Sequence, residues 1–173
     1  MNVRWKNIKI PLLMGLIISS VGIHATPIPS ESEYAYIYNT NVQPIKLGEA
    51  ATFDSHGPIS SGIQHTPGTS AIVFKSRGVY SVSFYVLGNQ RTSFGLFLND
   101  VLVDGGLYGT FKWEDITLTG QSIIKSEAGS VLTLKYHNPQ MLLPGAVPPD
   151  NVQIHGYSKG GFVNASIVIT KVG

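Results

Sequence analysis

The sequence predicts an all-β fold of about ten short antiparallel strands, a sandwich, jelly roll or barrel. Two observations carry this. The stretch Gly78-Val79-Tyr80-Ser81-Val82-Ser83-Phe84-Tyr85-Val86 alternates strictly, with Tyr80, Val82, Phe84 and Val86 on one side and Ser81 and Ser83 on the other. A strand points successive side chains to opposite faces, so this segment has one apolar face and one partly wet face. The same grammar, a short alternating run and then turn residues, repeats from residue 34 to the end, with no helical period after the first 25 residues.

The elements follow in order. Tyr34-Ala35-Tyr36-Ile37-Tyr38 places three tyrosines on one face. Gln43–Leu47 and Ala50–Asp54 read as short strands around Gly48-Glu49, and His56-Gly57-Pro58 as a loop. Ile63–His65 and Ser70–Phe74 flank the turn signal Thr66-Pro67-Gly68. After the long strand 79–87, Gly88-Asn89-Gln90 turns the chain into Ser93–Leu98, apolar enough to be buried on both sides. Asn99-Asp100 predicts a tight hairpin into Val101–Val103. Asp104-Gly105-Gly106 reads as a further turn before a strand Leu107–Phe111. Ile116–Ile124, with a bend at Gly120, and Val131–Tyr136 are joined by Glu127-Ala128-Gly129-Ser130. Asn138–Pro149, with four prolines, reads as a loop, followed by a short strand Val152–His155 and a glycine loop Tyr157–Gly161. Phe162–Lys171 is the last strand, with Val163, Ala165, Ile167 and Ile169 on its core face.

The N-terminus differs. Arg4, Lys6 and Lys9 precede an apolar run from Ile10 to Ile23, then Ala25, Thr26 and Pro27. A basic start, a short apolar stretch and a small residue describe a secretory signal over residues 1–25; an uncleaved anchor is the alternative. The run is shorter than the roughly 20 residues that a membrane span needs. Residues 26–33 read as a linker and 34–173 as one domain. Cleavage removes three of the 12 Lys and Arg and none of the 10 Asp and Glu, so the formal charge falls from +2 to −1. The basicity therefore belongs to the leader, and no basic patch argues for nucleic acid. Cysteine is absent, and charged residues are 13% of the chain, about half the usual fraction. Such a domain relies on its core, its strand pairing and any contacts between copies. An exported chain without disulfides points to a bacterial surface.

Candidate chemistry is sparse. His56, His65, His137 and His155 are dispersed, without metal-binding spacing, and read as strand-end hydrogen-bonding groups. Asp100 with Asp104, and Glu114 with Asp115, offer oxygen ligands for calcium, but they read first as turn formers, so no cofactor is expected. There is no Gly-x-Ser-x-Gly elbow, and no helix follows Gly105-Gly106 or Gly160-Gly161 to bind phosphate. Asn164-Ala165-Ser166 matches a glycosylation pattern inside an alternating strand and reads as chance. Trp113 is a loop aromatic, either a packing residue or a ligand contact.

Five segments taken together resemble a known family. They are Gly62-Ile63-Gln64-His65-Thr66-Pro67-Gly68, then Gly78–Phe84, Phe94-Gly95-Leu96-Phe97-Leu98-Asn99, Ala128–Leu134 and Val163–Val172. In this order they resemble the C-terminal domain of Bacillus-type spore-surface (exosporium) collagen-like glycoproteins, part of the C1q/TNF-like jelly-roll superfamily. The resemblance covers about residues 34–173. It implies a ten-strand jelly roll that forms a homotrimer and serves assembly rather than catalysis, alone or with other surface proteins. The chain departs from that family in having no Gly-X-Y tract and in carrying a leader.

The function expected is a non-enzymatic, secreted or spore- or cell-surface module that trimerises for assembly or adhesion. The alternative is a ligand-binding module, for carbohydrate or a host surface, with Trp113 as the contact. Tyr34, Tyr36, Tyr38 and Phe162 are candidates for the contact between copies, since amphipathic aromatics are enriched there; an intramolecular packing role stands beside it. Tyr80, Val82, Phe84 and Val86 are expected to face the layer between two sheets.

Overall fold

The computed structural model describes residues 32–89, 92–110, 116–138, 151–154 and 161–173. The leader (1–25), most of the predicted linker, Trp113, Glu114, Asp115, His155 and the Pro-rich loop from Pro139 to Pro149 lie outside the described residues.

Twelve strands form among the described residues: β1 (Tyr34–Asn39), β2 (Gln43–Lys46), β3 (Ser55–Ile59), β4 (Ile63–His65), β5 (Ile72–Phe74), β6 (Gly78–Gly88), β7 (Ser93–Leu98), β8 (Val101–Gly109), β9 (Ile116–Ser126), β10 (Val131–Tyr136), β11 (Asn151–Ile154) and β12 (Ala165–Lys171). They build two antiparallel sheets. The larger has the order β2-β11-β6-β12-β1-β3, with β9 also paired to β6; the smaller has the order β4-β5-β10-β7-β8.

Alternation places the core between the sheets. Tyr80, Val82, Phe84 and Val86 of β6 are buried, as are Ile167 and Ile169 of β12 and Ala35 and Ile37 of β1. Phe94, Leu96, Leu132, Leu134 and Tyr136 meet them from the smaller sheet. Phe74 and Tyr80 pack with ring centroids 4.5 Å apart. Strand β7 is buried on both faces. On its outer side Phe97 is covered by the Lys135 ammonium, 5.0 Å from the ring centroid, and by the edge-on ring of His137.

Four local expectations are corrected. His56-Gly57-Pro58 is not a loop but the middle of β3. This strand pairs with β1 alone, and an edge strand tolerates a proline that lacks an N–H. Ala50–Asp54 is not a strand: it makes only isolated bridges, Ala50 to Lys135 and Phe53 to Thr69. Asp104-Gly105-Gly106 does not turn the chain, because β8 runs through it. Gly95 pairs with Leu107 but Phe97 with Leu102, so the β7–β8 register shifts by three residues, and Gly105, at φ +68°, lies within the resulting bulge. Val163 precedes β12 and is only half-buried, whereas Asn164 is buried. The Asn99-Asp100 hairpin forms with both residues at positive φ (51° and 64°), the geometry of a type I′ turn.

Candidate functional site

Among the described residues, the outward face of the larger sheet stands out for its lack of charge. Strand pairing lines its side chains up in rows. Tyr34, Thr170, Ser81 and Ile123 form one row; Tyr36, Val168, Ser83 and Gln121 the next; Tyr38, Ser166, Tyr85 and Thr119 the third. No residue in these three rows carries a charge. Such a patch is unusual on a solvated sheet, where charged side chains normally discourage association.

Large apolar groups are open on this face. Tyr34 is 45% exposed, Val168 42% and Ile123 71%. Tyr36 and Tyr38 stack, with centroids 5.2 Å apart and planes inclined by 26°. Beside them a shallow cleft of about 510 Å³ opens between β12, β6 and β9, lined by Ser83, Tyr85, Thr119, Gln121 and Val168. Its lining offers hydroxyls, one amide and aliphatic surface.

Gly120 shapes the edge of the cleft. It stands opposite Phe84 in the β6–β9 register, facing inward. A Cβ there would lie 2.5 Å from both Phe84 Cε1 and Tyr108 Cδ2, so only glycine admits the two rings. Tyr108, from the smaller sheet, packs edge-on against Phe84 and donates its hydroxyl to the Gln121 carbonyl at 2.5 Å. This contact ties β8 to β9.

A polar clasp sits at the start of β1. The Glu33 carboxylate accepts bonds from Lys171 Nζ (2.6 Å), Ser76 Oγ (2.6 Å) and Tyr80 Oη (2.7 Å). Burial alone would raise the Glu33 carboxyl, but the bonds from Lys171, Ser76 and Tyr80 outweigh it and hold the group below its ordinary value. The bond to Glu33 raises Lys171, and burial raises the Tyr80 phenol.

The other candidates are scattered. Phe162 lies just before β12 and is 65% exposed. Asp100 pairs with Lys135 at 2.9 Å. Among the described residues no three His, Asp or Glu side chains gather as a metal site. Asn164 is 1% exposed; its amide donates to the Asn41 carbonyl and accepts from Asn39 Nδ2. Sequence reasoning named the β1 tyrosines but missed Val168, Gln121 and Ile123. For Gln121 and Ile123 the signal was the outward row of Ile116–Ser126, in which no charged residue appears before Lys125.

No family model matches the sequence, and neither does any curated protein. Solved structures do match its fold. The globular domain of zebrafish complement 1qA superposes at TM-score 0.56 with 11% identity, over 81% of this chain and 95% of that one. Eiger TNF from S. frugiperda gives 0.59 with 11% identity, over 82% and 93%. Murine APRIL at pH 8.5 gives 0.53 with 9% identity, over 82% and 100%. The fold of this chain is a C1q/TNF-like jelly roll.

Proposed function

We propose that the chain is a non-enzymatic exported module that assembles as a homotrimer through the outer face of the larger sheet and serves assembly or adhesion at a bacterial cell or spore surface. The observation that carries this is the absence of charge across the three rows Tyr34–Ile123, Tyr36–Gln121 and Tyr38–Thr119. Water-facing β-sheets of single copies carry charges that keep them apart; a face destined for burial against another copy does not.

A closed ring of three requires two different patches that fit each other, not one patch that fits itself. This face supplies them: stacked tyrosines on β1 at one side, and Ile123 with Gln121 on β9 at the other. The C1q/TNF-like fold supports a trimer as the oligomer, the leader-like residues 1–25 support export, and the resemblance to spore-surface domains supports the location. Sedimentation velocity at micromolar concentration tests the assembly. A single species of three times the monomer mass is expected; a monomer overturns the proposal.

A further inference from the structure

The two sheets meet at a corner where β3 of the larger passes into β4 of the smaller through Ser60, Ser61 and Gly62. His56 on β3 and His65 on β4 face each other across this seam, with ring centroids 6.3 Å apart and planes nearly perpendicular. His65 is 7% exposed. Its Nε2–H donates to the Thr69 carbonyl at 3.1 Å, and its Nδ1 is buried with no partner. The rest of its surroundings are apolar: the Phe53 ring lies edge-on with centroids 6.2 Å apart, and Ile72 stands opposite in the β4–β5 pairing. His56 is exposed, and its Nδ1–H donates to the Gly57 carbonyl.

We infer that this histidine pair is an acid-operated latch, which closes the β3–β4 seam near neutrality and opens it when the surroundings turn mildly acidic. Histidine is the side chain that takes up a proton between about pH 5 and 8. A proton on His65 would have to go on Nδ1, because Nε2 already carries one. There it would bury a charge whose N–H finds no acceptor, beside Phe53 and Ile72.

The titratable group facing His65 from β3 is His56, whose own positive charge would repel it. From the segment 50–53 comes Phe53, from β5 Ile72, and from the 66–69 turn the Thr69 carbonyl. No carboxylate among the described residues hydrogen-bonds or pairs with the ring. In keeping with this geometry, burial holds the His65 imidazole below its ordinary value and the His56 charge adds to the effect.

The sign follows. A histidine whose folded value is depressed takes up its proton on opening, so the closed state loses ground as the pH falls below the ordinary histidine value. The seam is where that loss is spent, since β3 is an edge strand paired to β1 alone. Its loosening reaches the uncharged face: a Cβ at Gly57, next to His56, would stand 3.0 Å from Tyr36 Cδ1, so β3 lies under that ring.

Amide hydrogen exchange on the full chain at about pH 7.5 and about pH 5 tests the latch. After correction for intrinsic rates, amides of residues 55–65 should exchange faster at the lower pH, by up to about tenfold per pH unit for each proton taken up. Those of β6 and β9 should change far less. In His65→Phe the difference should vanish; a His137→Gln control should keep it. Equal acceleration across all strands, or an unchanged acid response in His65→Phe, overturns the inference. Should His65→Phe not fold, the wild-type His65 ring resonances decide: titration at or above the ordinary value of about 6.5 also overturns it.

Discussion

The Lys171 ammonium lies 2.6 Å from a Glu33 carboxylate oxygen, joining the residue ahead of β1 to the end of β12. Both side chains are largely buried, at 19% and 12% exposure. Removing one partner strands the other, so Lys171→Met should lower the unfolding free energy by about 2 kcal/mol, below the range for fully buried pairs because some water reaches the ammonium. Urea titration of the variant beside wild type measures it.

The same clasp sets an acid limit. The Glu33 carboxyl is held below its ordinary value of 4.5. Its stabilisation is complete above that value and is lost as the pH falls through the lower folded value. Wild type should therefore lose stability below about pH 4.5, and Glu33→Gln should start less stable with a flatter decline. Thermal melts from neutral pH to about pH 3 would show the two curves converging.

Val168 is 42% exposed in the middle of the uncharged face. Val168→Asp should leave the fold intact, with an unchanged far-ultraviolet circular dichroism spectrum, and convert the assembly to monomers. Burying a lone carboxylate between copies costs more than the contact returns. Sedimentation of the variant decides; a persistent trimer would move the interface elsewhere.

Gly120→Ala should destabilise the domain by about 2 kcal/mol, since the new methyl must displace Phe84 and Tyr108 in a packed layer. The variant should also weaken the Tyr108–Gln121 link, so β9 amides should exchange faster than those of β12.

At the hairpin tip, Asp100 holds φ 64°. Asp100→Gly should raise stability by about 0.5 kcal/mol, because glycine adopts that conformation without a Cβ penalty. The ion pair lost with Lys135 involves a carboxylate 84% exposed and contributes little. Chemical denaturation measures the difference.

Much of the fold was legible because alternation is a local signal. β6, β10, β12 and most of β9 alternate, β7 is a near-continuous apolar run, and Asn99-Asp100 marks its turn by residue type alone. The edges were less legible. His56-Gly57-Pro58 has the composition of a loop, and only pairing with β1 makes it a strand. Gly105 looks like a turn glycine, yet across from β7 it is a bulge. The surface was legible in part: the β1 tyrosines stand out, but that Val168, Gln121 and Ile123 join them depends on strand order, which no local pattern encodes. The His56–His65 contact was illegible for the same reason, since the two residues belong to different sheets.

Asn164 bears on how the protein can be produced. Its side-chain nitrogen, the atom a glycan would occupy, is committed to the Asn41 carbonyl inside the domain. In a host whose export machinery attaches sugars to Asn-x-Ser while the chain is still unfolded, Asn164-Ala165-Ser166 would be an acceptor. A chain so modified could not close the corner built by Asn39, Asn41 and Asn164, and would be retained as misfolded material. Yield from such a host should recover with Ser166→Ala, whereas a bacterial host needs no such change.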